Sequence, residues 1–317
     1  MTVPTTPTGA APAPAPGPAP AGAAAPVPPA PRRSRTGTVL TAVGITVAAL
    51  AAAQLAVNLL GHAAARTVST TAAYAAPRVV ELVTDGAVDV RAAGDGEVRV
   101  ERTSRHAWDE PDYDVQERGD RLVVTYRCGW TWAGVCSTSL AAEVPEGTAV
   151  VVRSADGQVR AEGALGDAEL RTSDGDVLVT GATGSVEVRT SDGRVDVQDV
   201  AGDVLVRTAD GDVRLRGVGG DADVAGVDGT VDVDGVDGSL AARTSDGDVM
   251  VAAVAGDVGA RTVDGDVTVH GTGEPAALEM ATVDGRSVID APTDPAADRR
   301  VVLRTVDGDV AYLGPRR

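Results

Sequence analysis

From residue 159 to residue 269 the chain alternates apolar and polar positions in short runs that restart every nine residues. Val159, Val177, Val195, Val213, Val231, Val249 and Val267 form one column with a period of 18, and Ala161, Val179, Val197, Leu215, Val233, Val251 and Val269 form another two positions later. A period of two is the signature of a β-strand with one buried face. The intervening half-repeats supply Val186, Val204, Leu240 and Val258, then Leu170, Val188, Val206 and Val224, so each 18-residue unit predicts two short strands. Turns separate them. Gly157, Gly175, Gly193, Gly211, Gly229, Gly247 and Gly265 each follow an aspartate, and Gly166, Gly184, Gly202, Gly220, Gly238 and Gly256 fall midway.

Repeats of constant length stack in register, because each unit buries its apolar face only against its neighbours. The expected fold is all-β: a two-sheet β-solenoid of 18-residue coils, with an N-terminal β cap and one transmembrane helix before it. Coils ~4.8 Å apart would give nine Asp-Gly turns a stack of ~40 Å. An antiparallel meander is the alternative, since Asp-Gly is also a strong hairpin signal. The later spacings of 20 and 23 residues, to Gly285 and Gly308, mark insertions. Pro292, Pro295 and Leu313-Gly314-Pro315 read as a terminal edge that resists further pairing.

Upstream, alternating runs such as Val79 to Val83, Val88 to Val90 and Val98 to Val100 predict an irregular β lead-in over 78–152, ahead of the repeat region 153–317. The stretch from His106 to Asp120, with Pro111 and Gly119, predicts its longest loop. Cys128 and Cys136 flank a Gly/Trp-rich loop and predict a disulfide; a free or metal-binding pair is the alternative, poorly spaced for zinc. Residues 38–60 carry no charge and are rich in Ala, Val and Leu, which predicts a membrane helix over 37–62, followed by a linker over 63–77. Arg32, Arg33 and Arg35 before it, against Arg66 after it, place the N-terminus in the cytoplasm and the repeats outside the cell membrane, as a single-pass protein. Residues 1–36 are expected to form a Pro/Ala-rich disordered tail, since residues 1–31 hold 11 of the 18 prolines. Cleavage of the apolar segment as a secretory signal remains the alternative.

Composition narrows the chemistry. The 317 residues include no Phe and 2% aromatics, so the core must be aliphatic. From residue 66 onward 25 arginines face 46 acidic residues, a net charge of −21. Such a surface repels nucleic acid and anionic lipid; it suits cations, basic proteins or neutral envelope polymers.

The aspartate columns are the main candidate constellation: Asp174, Asp210, Asp246 and Asp264 before glycine, and Asp176, Asp212, Asp248 and Asp266 after it, invite calcium. Turn chemistry explains them without an ion, because aspartate accepts backbone N–H bonds while glycine supplies positive φ. Arg153, Arg171, Arg189, Arg207, Arg243 and Arg261, three residues before the aspartates of their turns, offer opposite charge. The G-G-x-G-x-D pattern of calcium β-rolls and the EF-hand loop are absent. His62, His106 and His270 lie far apart and no nucleophile or zinc motif occurs, so no catalytic residue, metal ligand or cofactor is assigned. A carboxylate pair of a polysaccharide-acting enzyme on a β-helix stays open as an alternative. Trp108, Trp130 and Trp132 form the candidate binding surface, for a sugar, a surface protein or the end of the stack.

The T-x-D-G-D-V-x-V repeat, the short strands before it, the loop from Cys128 to Cys136 and Pro145-Glu146-Gly147 resemble the bacterial "putative adhesin" family of unknown function, over roughly residues 78 to 313. The resemblance implies a β-repeat protein of the cell envelope, tethered by a transmembrane helix, with no established catalytic residues. The expected function is that of a non-catalytic interaction or structural module; a calcium-binding surface adhesin is the nearest alternative.

Overall fold

A computed structural model describes residues 35–94, 96–129 and 135–316, with side chains from residue 43. Among the described residues the single helix is α1, Arg35–Ala64, and its stretch Val43–Ala64 is long and apolar enough to cross a membrane. All other regular elements among the described residues are strands. The first eight are β1 (Arg66–Ala75), β2 (Val79–Thr84), β3 (Val88–Ala92), β4 (Glu97–His106), β5 (Asp112–Arg118), β6 (Arg121–Arg127), β7 (Cys136–Val144) and β8 (Ala149–Ser154). The repeats give β9 (Val159–Glu162), β10 (Ala168–Arg171), β11 (Val177–Thr180), β12 (Val186–Arg189), β13 (Val195–Val200), β14 (Val204–Arg207), β15 (Val213–Val218), β16 (Ala222–Ala225), β17 (Val231–Val236), β18 (Leu240–Arg243), β19 (Val249–Val254), β20 (Val258–Arg261) and β21 (Val267–His270). Last come β22 (Ala277–Ala281), β23 (Ser287–Asp290), β24 (Arg300–Arg304) and β25 (Val310–Leu313).

Successive strands of the repeat alternate between two sheets and pair parallel with the strand one coil away: Val159 with Val177, Val177 with Val195, and Val186 with Val204. Parallel pairing at a shift of 18 residues is the coil geometry and excludes the hairpin meander. Both valine columns point inward and are fully buried. Small β-branched side chains fill a slot between two sheets ~10 Å apart without aromatics. Thr172, Thr190, Thr208, Thr244, Thr262 and Thr305 are buried at one corner, where their hydroxyls donate to carbonyls, as Thr190 does to Asp192 at 3.0 Å and Thr262 to Gly247 at 3.0 Å. Glycine is obligatory in the following turn: Gly211 has φ +145°, and a Cβ there would run into the carbonyl of Gly193.

The first sheet has thirteen strands in the order β1-β4-β7-β3-β9-β11-β13-β15-β17-β19-β21-β25-β23; the second has twelve, β22-β24-β20-β18-β16-β14-β12-β10-β8-β2-β6-β5. The lead-in is therefore part of the stack. β2 pairs parallel with β8, and β3 with β9, in the register of the repeats. Thirteen strands give a sheet of ~58 Å, longer than the Asp-Gly count alone implied. Three expectations need correction. Ten of the residues expected as a linker form β1, antiparallel to β4, because its alternating Thr, Ala and Tyr can complete the sheet edge. The expected loop from His106 to Asp120 contains β5, which turns through Gly119 (φ +60°) into an antiparallel hairpin with β6.

The third correction concerns the C-terminus. β25 is no edge: it lies between β21 and β23, and β24 lies between β20 and β22. The chain passes over one coil position, forms β22 and β23 outside it, and returns to fill the gap. The two long spacings are the crossovers this requires, 271–276 outward and 291–299 back. Packing explains the order, since Val301, Leu303, Val310 and Tyr312 are fully buried and fill the core better than Ser287 and Ile289.

Candidate functional site

The aspartates that precede glycine stack directly. Asp156, Asp174, Asp192, Asp210, Asp228, Asp246 and Asp264 form successive parallel bridges, continued by Asp307 and then Asp284. Each glycine N–H donates to the aspartate carbonyl one coil on, as Gly175 does to Asp192 at 3.0 Å. The side chains are crowded like charges. Asp192 is raised above 3.8 chiefly by the hydrogen bond it shares with Asp174, then by partial desolvation and the charges of Asp174 and Asp210. Asp228 and Asp264 are raised by partial desolvation first, then by their carboxylate neighbours on either side.

Of the eight calcium candidates, Asp174, Asp210, Asp246 and Asp264 stand in this stack. Asp176, Asp212, Asp248 and Asp266 stand in a separate column, where each Oδ1 accepts a backbone N–H one coil on, from Arg194 (2.9 Å), Thr230 (3.1 Å), Asp266 (2.9 Å) and Asp309 (2.7 Å). The half-coil turns repeat the device with Asp167, Asp203, Asp221 and Asp257. These carboxylates satisfy donors at corners where the ladder of strand bonds is interrupted. Among the described residues no three His, Cys, Asp or Glu side chains are grouped to hold a metal ion.

The arginine row does not pair with the stacked aspartates. Arg171 binds Glu169 at 2.6 Å, Arg189 binds Glu187, and Arg207 and Arg243 both reach Asp223 at 3.1 and 3.4 Å. Glu81, almost fully buried, is held by Arg121 and Arg153. Strand alternation is the reason: Glu169 and Glu187 lie two residues before their arginines and share the outer face, whereas the turn aspartate lies around the corner.

That outer face carries a groove of about 730 Å³ across the second sheet, from β6 to β18. Its floor is the outward column Val151, Glu169, Glu187, Leu205, Asp223 and Ala241, paired in register. Asp167, Asp203, Asp221 and Asp257 line its rim, and Arg121 is the one basic residue among the described lining. No aromatic ring stands among those residues to stack on a sugar. The sequence reading followed the inward columns and missed this face; its signal was the aliphatic or acidic residue between each pair of buried positions.

At the N-terminal end of the stack Cys128 and Cys136 are joined by a disulfide. Trp108 is 57% exposed in the turn between β4 and β5; Trp130 and Trp132 lie outside the described residues. The structure instead gathers three tyrosines the sequence reading passed over. Tyr74 on β1 and Tyr113 on β5 share a 2.6 Å hydrogen bond, joining the edge strands of the two sheets. Tyr113 meets Tyr126 edge to face at 5.9 Å, with the Arg102 guanidinium 3.7 Å above its ring. Burial, then the bond to Tyr74, pushes the Tyr113 hydroxyl up to about 12.

The profile of the Toastrack DUF4097 family matches residues 83–312. No curated protein matches the chain. Solved structures similar to it include a "putative adhesin" of Bacteroides fragilis (13% identity, TM-score 0.40, 78% of this chain and 97% of that one). Another of that name from Parabacteroides distasonis has 12% identity and a TM-score of 0.36 over 78% and 97%. A "putative cell adhesion protein" of Clostridium sporogenes has 7% identity and a TM-score of 0.23 over 78% and 100%.

Proposed function

The chain belongs to the Toastrack DUF4097 family, and on that premise we propose that it is a membrane-anchored, extracytoplasmic β-repeat protein acting as a non-catalytic, adhesin-like interaction module of the cell envelope. The observation that carries this reading is the groove of about 730 Å³ that crosses successive coils of the second sheet. A site that repeats coil by coil suits an extended partner, whereas catalysis concentrates its groups at one place. Glu169, Glu187 and Asp223 are already tied to arginines, and it is the rim carboxylates Asp167, Asp203, Asp221 and Asp257 that favour a basic segment of an envelope protein or polymer. Residues 37–62 span the bilayer, 1–36 stay inside, and the strands from 66 onward stand outside, in keeping with the arginine asymmetry around α1.

The test is binding of a labelled octalysine probe to the full chain in detergent. Binding that weakens with salt and falls at least tenfold in Leu205→Arg, but less in the charge-matched Leu178→Arg on the other sheet, supports the groove. Equal effects of the two variants, or no binding at low salt, would overturn it. Calcium-dependent adhesion is the second reading, favoured by the raised carboxyls of Asp192, Asp228 and Asp264, which a divalent cation would relieve. It requires a melting temperature that rises in millimolar calcium and returns with chelator, without the same response to sodium at matched ionic strength.

A further inference from the structure

At the C-terminal end the core is left open. β22 and β23 are edge strands, bonded only to β24 and β25. Ile289 stands in register with Tyr312 on the inward face, yet Ile289 is 58% exposed while Tyr312 is completely buried. Leu278, Met280, Ile289 and Pro295 line an opening of about 590 Å³ into the end of the stack. Val288, on the outer side of β23, and Val283, in the preceding turn, are exposed as well. Stacked β cores that stop in this way present apolar surface together with a row of unpaired N–H and C=O groups, and one added strand satisfies both.

The sequence of this edge complements itself. Residues 286–291 read Arg-Ser-Val-Ile-Asp-Ala. Set antiparallel about a two-fold axis through Val288, β23 places Val288 opposite Val288 of the partner subunit and Ser287 opposite Ile289 of the partner subunit. Arg286, whose side chain is 85% exposed while it binds Asp309 at 2.8 Å, then lies directly opposite Asp290 of the partner subunit. Valine meets valine, a guanidinium meets a carboxylate at each end of the pairing, and no like charges stand opposite along β23. Glu279 on the neighbouring edge is already tied to Arg304. A side-by-side contact would bring together domains of net charge −21, so an end where both signs are present is the contact that two copies tolerate. It is also the sheet edge farthest from β1, which begins two positions after the last residue of α1.

We propose that two copies of this chain associate end to end, β23 against β23, with each closing the open core of the other. The contact is isologous and extends the first sheet across the interface. It is independent of the groove on the second sheet.

Sedimentation of the full chain in detergent over a range of concentrations is the test. A reversible dimer is expected, weakened at least tenfold in Ile289→Arg and unchanged in Leu205→Arg. Val288→Cys supplies one reactive thiol, because Cys128 and Cys136 are joined; a short bismaleimide should convert it to a covalent dimer. A chain that stays monomeric at every concentration overturns the proposal, as does a dimer that survives Ile289→Arg and leaves Val288→Cys uncrosslinked. Octalysine binding by Ile289→Arg separates this outcome from failure of the groove.

Discussion

The two ends of the same β stack solve the problem of a sheet edge in opposite ways. At the N-terminal end the parallel ladder gives way to antiparallel β4 and β5, a disulfide joins Cys128 to Cys136, and Tyr74 bonds to Tyr113 across the two sheets. At the C-terminal end the coil pattern simply stops, with Ile289 half out of the core. Reversing strand direction and adding aromatic bulk closes a stack; leaving the coil geometry unbroken keeps an edge that another coil can extend.

The largest expected effect lies just inside the open end. Leu303→Ala removes a fully buried side chain from β24 and should cost about 3 kcal/mol, whereas Ile289→Ala in the outermost coil should cost under about 1 kcal/mol. Urea unfolding of both variants measures the contrast, and equal losses would mean that the outer coil is as well packed as the inner one. Next comes the closed end. Replacing Cys128 and Cys136 by serine frees a loop of eight-residue separation and should cost about 2.5 kcal/mol by chain entropy. Chemical reduction of the unaltered chain should lower its melting temperature in the same direction. Tyr113→Phe removes the hydroxyl that links the two edges and should cost about 1 kcal/mol, as should Tyr74→Phe. The double variant should lose less than the sum, because each single change already breaks the bond.

The smallest effect belongs to the aspartate stack that runs toward the open end. Asp192, Asp228 and Asp264 hold protons more tightly in the folded chain than their ordinary 3.8. The folded state therefore binds more protons in that window, and stability rises as pH falls from neutrality through the raised values, the gain being complete below the unfolded value. Glu279 and Asp309 oppose this at the open end. Bonds to Arg304 and Arg286 hold their carboxyls below the ordinary range, so their contribution is present above the unfolded value and is lost on further acidification. Thermal melts in steps from about pH 7 to about pH 3 should show a shallow maximum, flattened in Asp228→Asn.

Much of this arrangement was legible in residues met one at a time. The valine columns, the Asp-Gly corners and the period of 18 fixed coil, register and core face, because each rests on local alternation or on a turn that needs glycine. The disulfide was legible from two cysteines and their flanks. The groove was not, since an outward position is constrained only by what it faces across coils. The arginine partners were misjudged for a related reason: distance along the chain placed Arg171 near Asp174, but strand geometry turned it toward Glu169.

Composition and periodicity thus settle that this chain stacks into coils, since every coil offers the same edge and the same buried pair of residues. They leave the order of the last coils open. β22 and β24 present nearly equivalent edges to β20, and choosing between them is a competition over the whole core. Val301, Leu303, Val310 and Tyr312 win the inner place by filling it, and Ile289 is left at the surface. Which strand ends a stack is decided by packing between segments distant in sequence, and no local pattern encodes that comparison.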